Sequence, residues 1–253
     1  MEKPGLPIAR LRLTVAYDGG AFSGWQSQPN GNAVQDHLVT AFHQILGTTP
    51  KVHGAGRTDA GVHALAQVAH VDVPKGKFSR EVWLAALNAH LPREMRVLRC
   101  QVVPLDFHAR FSARGKVYRY RIWNAAFLHP LEVNRSWHIP QRLSTDVLRQ
   151  AAKVLVGTHD FAAFAANRGT PSESTVRTIS SIGVWRKGSE VTLAYSGDGF
   201  LYRMVRLLTG SVVQVARGRY DLAWLADLLE QPKGRKSHHL APAGGLYLVK
   251  VKY

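Results

Sequence analysis

The chain has a single cysteine, Cys100, among 253 residues. One thiol closes no internal disulfide and assembles no zinc site of several thiolates, so a reducing compartment is the expected setting. Long apolar runs are missing too. No stretch approaches the roughly 18 apolar residues of a membrane-spanning helix. The opening Met1-Glu2-Lys3-Pro4-Gly5 has none of the apolar core of a secretory signal. A soluble, cytoplasmic protein with no membrane partner is the expectation. No segment ends in Gly-Lys-Ser/Thr, which excludes a Walker-type phosphate loop. Low-complexity tracts, internal repeats and a flexible linker are also lacking. Acidic residues are scarce: Asp and Glu total 17 against 33 Lys and Arg, a formal charge of +16 with neutral histidine.

What is present is an ordinary globular composition, 45% hydrophobic and 9% aromatic, long enough for one or two domains with a sizeable core. The positive surplus attracts polyanions, nucleic acid first and anionic membrane second. The alternative is a basic but inert surface, and the distribution of charge decides between them.

Alternation over Ala9 to Tyr17 puts Leu11, Leu13, Val15 and Tyr17 on one face of a half-buried strand. Asn32 with Gln35 reads as a capping box ahead of a helix carrying Val34, Leu38, Ala41, Phe42 and Ile45. Extended stretches at Lys51-Val52-His53 and Gln67 to Val73 follow, then a helix from Ser79 to His90 and a strand from Met95 to Val103. The second half repeats this order. Lys116 to Trp123 is a strand, Ser144 caps a helix, and Gly157 stands where that helix stops. Thr175 to Trp185 and Val191 to Ser196 pair around Lys187-Gly188. Phe200 to Arg217 is a long helix, Asp221 caps a short one, and Leu246 to Val251 closes the chain. Two split βαβ patterns imply an α+β protein of two ferredoxin-like halves with antiparallel sheets, residues 1–106 and 107–253, packed as one body.

Positive charge concentrates between Phe107 and Arg121, where Arg110, Arg114, Lys116, Arg119 and Arg121 occur without an acid. Phe107, Phe111, Tyr118 and Tyr120 interleave with them. Guanidinium groups reach phosphates and aromatic faces stack on unpaired bases, a combination RNA-binding surfaces use. A strand with core aromatics and a solvated basic face reads equally well, and Tyr118 and Tyr120 share a face. A second group, Arg203, Arg206, Arg217 and Arg219, lies on the long helix, where Arg203 and Arg206 are three apart and share a face. The stretch from Lys233 to His239 reads as a polar loop. The six tryptophans, Trp25, Trp83, Trp123, Trp137, Trp185 and Trp224, read as core, and Cys100 as a small buried hydrophobe.

Between the two middle strands of the first half stands Gly54-Ala55-Gly56-Arg57-Thr58-Asp59-Ala60-Gly61-Val62-His63-Ala64. Its glycines permit a tight backbone and close approach of a ligand. Taken alone, Asp59 before Ala-Gly reads as a turn residue.

The longer string GRTDAGVHALAQVAH resembles the signature of the tRNA pseudouridine synthase A family, and the resemblance runs along nearly the whole chain. Tyr17-Asp18-Gly19, Phe22, Gly24-Trp25-Gln26 and Gln28 resemble the family's first strand and turn. Phe107-His108-Ala109-Arg110-Phe111-Ser112-Ala113 with Tyr118-Arg119-Tyr120 resembles its central strand. Further segments are Thr158-His159-Asp160-Phe161 with Phe164, Ser174 to Ile179, Phe200-Leu201 with Met204-Val205-Arg206 and Gly210, and Ala241-Pro242 with Gly245-Leu246. Gly20 departs from the expected Thr, and Gly169-Thr170-Pro171-Ser172 is a variable stretch.

The resemblance implies isomerisation of uridine to pseudouridine at nucleotides 38, 39 and 40 of the tRNA anticodon arm, without cofactor or metal. It implies Asp59 as nucleophile, Arg206 as its basic partner, and Tyr118 as the ring that stacks on the uracil and relays a proton. The expected RNA-binding set is Arg57, Phe107, His108, Arg110, Arg114, Lys116 and Arg168. A homodimer, with tRNA across both subunits and the active site in a cleft between the halves, is implied as well. Two readings compete. A non-catalytic RNA-binding protein explains the charge and aromatics but not the glycine-flanked Asp59. A metal-dependent nuclease draws on His53, His63 and His70 beside Asp59, but lacks the clustered carboxylates of phosphodiester chemistry.

Overall fold

A computed structural model describes residues 7–29, 31–166, 174–232 and 234–253. Contacts divide the chain into two units, residues 1–113 with 248–253, and residues 114–247.

In the first unit, β1 (Ile8–Tyr17) lies between β3 (His63–Pro74) and β4 (Met95–Val103), antiparallel to both, and β2 (Val52–Gly54) pairs with β3. The alternation read in β1 is realised: Leu11, Leu13, Val15 and Tyr17 are buried. Two helices, α1 (Val34–Leu46) and α2 (Arg80–His90), bring Leu38, Phe42, Trp83 and Leu87 into the core. Ser79 caps α2 by accepting from the Val82 amide at 3.3 Å. The capping box of α1 falls one residue later than read. Ala33 occupies the cap, and Asp36 reaches back to its amide at 2.9 Å. Asn32 instead donates to Ala21 O, and Gln35 donates to Val52 O, so both side chains are spent on long-range bonds. Between Val15 and Tyr17 the β1–β3 register shifts, and such a bulge bends a strand and re-aims its side chains. It falls where β1 meets the Asp59 loop.

The second unit carries the antiparallel order β5-β9-β8-β7, with β5 (Gly115–Trp123), β7 (Gly157–Asp160), β8 (Val176–Lys187) and β9 (Glu190–Gly197). Two of its strands went unread. One is β6 (Trp137–His138), which pairs parallel to β5 and so departs from the all-antiparallel expectation. The other is β7, in which Gly157, at φ 126°, opens a strand instead of stopping α3 (Thr145–Val154). The helices α3, α4 (Met204–Ala216) and α5 (Leu222–Glu230) pack on one another, with Leu148, Leu208, Val212 and Leu225 fully buried. The closing strand is β10 (Leu246–Lys252). Mixed α+β architecture is thus established.

The long helix begins at Met204, not Phe200, because Arg203 takes a left-handed backbone at φ 60°. Arg203 and Arg206 therefore do not share a helical face. Trp25 and Trp83 are core, but Trp185 is 42% exposed. Arg121 is no spare cation: Glu132 at 2.9 Å and Glu190 at 2.6 Å hold it. Burial works against its charge, but bonds to Glu190, Tyr247 and Glu132 prevail and raise its pKa.

Candidate active site

Asp59 opens a tight turn. The Val62 amide donates back to Asp59 O at 3.1 Å, and Gly61 between them has φ 79°, the positive value a type II turn needs in its third residue. The segment from Tyr17 to Trp25 holds this loop. Tyr17 Oη meets Thr58 Oγ1 at 2.8 Å in a buried bond, the Trp25 amide donates to Thr58 O at 3.0 Å, and the Gly61 amide donates to Gly19 O at 3.2 Å. Burial pushes the Tyr17 phenol up to about 12, so it stays protonated. Gly24, at φ 94°, sits so close that a Cβ there would lie 2.7 Å from Thr58 O. Buried Gln67 donates to Gly56 O at 2.8 Å from the other side. His63 Nδ1 lies 3.1 Å from both the Gly19 amide and Asp18 Oδ1; one ring nitrogen serves one of them at a time. The Asp59 side chain is half-buried and Arg57 is exposed.

A second element of this unit follows β4. His70, buried on β3, accepts from the Ala109 amide through Nδ1 at 3.1 Å, and His108 Nδ1 accepts from the amides of Arg110 and Phe111 at 3.1 and 3.2 Å. Both roles need neutral rings. Burial foremost, then the charges of His108, Arg10 and His53, lowers His70 to about 4; burial also lowers His108. Arg10 grips Asp72 with two bonds of 2.7 Å and donates to Phe107 O at 2.9 Å and to Leu105 O. Phe107 itself packs against Tyr253, ring centroids 5.0 Å apart, with Arg12 over both rings. The ring that this loop leaves open is Phe111, 76% exposed and 5.5 Å from the Arg110 guanidinium. Positioning by His70 was not read from sequence, because a histidine in an alternating strand carries no sign of which distant amide it serves. His53 and His70 stack face to face at 14°, so their nitrogens do not converge. Among the described residues no group of three His, Cys, Asp or Glu side chains could hold a metal ion.

In the second unit, Tyr118 lies on β5 opposite Tyr195, is 8% exposed, and meets the edge of Phe200 at 5.2 Å. Tyr120, on the same face, is fully buried and donates to Pro242 O at 2.7 Å, a packing role. Arg206, in the first turn of α4, donates Nε to Ala241 O at 2.8 Å and receives the Ala241 amide on its own carbonyl at 3.2 Å. The guanidinium stem is thereby fixed. Arg114 is exposed and Lys116 half-buried. Arg168 and the variable stretch 169–172 lie outside the described residues, as does Lys233. No helix among the described residues is long and apolar enough to cross a membrane.

Comparison with known proteins places the sequence in a family. Residues 13–112 and 151–253 match the family described as tRNA pseudouridine synthase. The tRNA pseudouridine synthase A of Akkermansia muciniphila is 48% identical over 253 residues, covering 97% of this chain and 96% of that protein. That of Methylacidiphilum infernorum is 41% identical, covering 98% and 97%. That of Rhodopseudomonas palustris strain BisA53 is 43% identical, covering 97% and 100%.

Proposed function

Because the chain belongs to the tRNA pseudouridine synthase family and is an isomerase acting on tRNA, we propose that its targets are uridines 38, 39 and 40 of the anticodon arm. The reaction breaks the N1–C1′ bond, turns the uracil and joins C5 to C1′. C5 gives up its proton and N1 gains one, so no redox partner is consumed.

The observation that carries this reading is the Asp59 loop. A short carboxylate opens a turn whose main chain is tied to the end of β1, within the segment that matches the family. We assign Asp59 as the nucleophile; attack on the sugar, attack on the uracil ring and abstraction of a sugar proton are all open to it. We assign Arg206 as the basic partner in this chemistry, a guanidinium being a cation at any working pH. Tyr118 stacks on the uracil and relays the C5 proton. Arg57 occupies the place of an extruded nucleotide or holds its phosphate. Arg110, Arg114, Lys116 and Arg168, with Phe107 and His108, complete the RNA-binding set. Nucleotides 39 and 40 are paired in the stem. Extruding one costs a few kcal/mol, which stacking of about 1–3 kcal/mol and phosphate contacts offset.

Asp59→Ala is expected to bind tRNA within about threefold of the parent and to release no tritium from C5-labelled uridine. Turnover at the parent rate would overturn the assignment of Asp59. Release from a tRNA lacking uridine at all three nucleotides would overturn the choice of target. Cytoplasmic location and a homodimer belong to the same proposal; the single buried thiol supports the first, and sedimentation at micromolar protein tests the second.

A further inference from the structure

The end of α4 away from Arg206 carries a cluster that the chemistry above leaves unused. The helix stops in a Schellman turn: Gly218, at φ 69°, donates to Val215 O at 2.9 Å and Arg219 donates to Gln214 O at 3.1 Å. From Arg206 to Arg217 the helical rise is about 16 Å, so this corner is well removed from Arg206. Tyr220 lies against the Trp224 indole, ring centroids 4.0 Å apart and 22° from parallel. His239 borders both rings at 5.2 and 5.8 Å. Tyr220 remains 38% exposed, and Arg219 and His238 are exposed beside it.

Among the described residues no carboxylate pairs with Arg217 or Arg219. Arg217 donates to Gln141 Oε1 at 3.1 Å, while its buried Nε has no acceptor among the described residues. The nearby acids are committed elsewhere: Asp221 caps α5 through the Trp224 amide at 2.8 Å, and Asp227 pairs with Arg235 at 3.0 Å. Crowding is felt by the groups themselves. Burial and then Arg219 lower the Arg217 pKa, and burial, His238 and Arg219 lower that of His239. The carboxyl end of a helix favours cations, which accounts for one arginine. It does not account for two beside an exposed aromatic stack.

We propose that this ledge is a second RNA contact, in which an unpaired nucleobase stacks on Tyr220 and an adjoining phosphate is held by Arg219 and Arg217. The occupant is RNA because a flat ring pair supplies stacking and two guanidiniums without a carboxylate partner among the described residues supply charge complementary to phosphate. The inference rests on the reading of tRNA as substrate.

Equilibrium binding and steady-state turnover with tRNA test it. Tyr220→Ala is expected to raise Kd and KM about tenfold and to leave kcat unchanged, whereas Tyr220→Phe keeps the parent values. The double variant R217A/R219A is expected to reduce the slope of log affinity against log salt by about 1 to 2, and R219K to restore part of it. Unchanged Kd and salt slope in both variants, with parent melting temperatures, would overturn the proposal. So would a loss confined to kcat, or a change in sedimentation with tRNA affinity intact, which would assign the ledge to a second copy of the chain. The isomerase reading fails separately: parent protein that binds tRNA yet releases no tritium refutes it, and the binding arm still reports on the ledge.

Discussion

A Cβ added at Gly24 would sit 2.7 Å from the Thr58 carbonyl oxygen, and one at Gly19 would run into that of Val62. Both neighbours are main chain of the Asp59 loop and have no free end to swing aside. Gly19→Ala is therefore expected to destabilise the protein by about 1–3 kcal/mol, and to lower single-turnover rate more than tRNA affinity, since relief of the clash moves Asp59. Thermal melting and pre-steady-state tritium release measure the two; parent values in both would show that the loop yields freely. At this scale the sequence was legible in part. The glycines around Asp59 stand out in the sequence as tight backbone, and Tyr17-Asp18-Gly19 as part of the family resemblance. Their mutual contact did not, because Gly19 and Val62 are distant in sequence and nothing local records the pairing. His63 went the same way: its bond to the Gly19 amide follows from the strand ends meeting, not from its own neighbours.

Between β3 and the loop that follows β4, His70 acts as a neutral acceptor for the Ala109 amide, and its proton balance has a sign. With a folded value near 4 against an ordinary value of about 6.5, the unfolded chain binds a proton that the folded chain refuses. Stability is thus full above pH ~6.5 and falls as pH drops toward 4, by on the order of 2 kcal/mol. Urea midpoints measured at pH 7 and 4.5 should show this fall, with amide exchange at Ala109, Arg110 and Phe111 rising early. His70→Asn, which keeps an acceptor but does not titrate, should flatten it; an equally steep fall in that variant would place the effect elsewhere. Elements with strong local signals were read closely: β4 and the caps Ser79, Ser144 and Asp221 match the structure. Elements set by long-range pairing were not. The two residues of β6 owe their extended form to β5. The start of α4 is hidden because Phe200 and Leu201 continue the apolar spacing, while the break comes from a backbone turn at Arg203 that no glycine or asparagine announces.

For the molecule as a whole, +16 of formal charge makes association with RNA a counterion-release process. If Arg57, Arg110, Arg114 and Lys116 each meet a phosphate, these four alone should contribute roughly 3 to 4 to the magnitude of the slope of log Kd against log salt. Filter binding between 50 and 300 mM salt measures it, and a flat response would remove the electrostatic account. Composition made this property legible from the outset, whereas the division of the chain was not, because it does not follow sequence order. Residues 248–253 belong with the first 113, and Tyr253 donates its hydroxyl to Ala109 O at 2.7 Å. A ribosome making this protein therefore delivers the amino-terminal unit incomplete. Its last strand segment and the phenol that braces the Phe107 loop emerge only after the whole of residues 114–247 has been synthesised. The unit begun first is finished last, and until then the nascent chain leaves that loop without its brace.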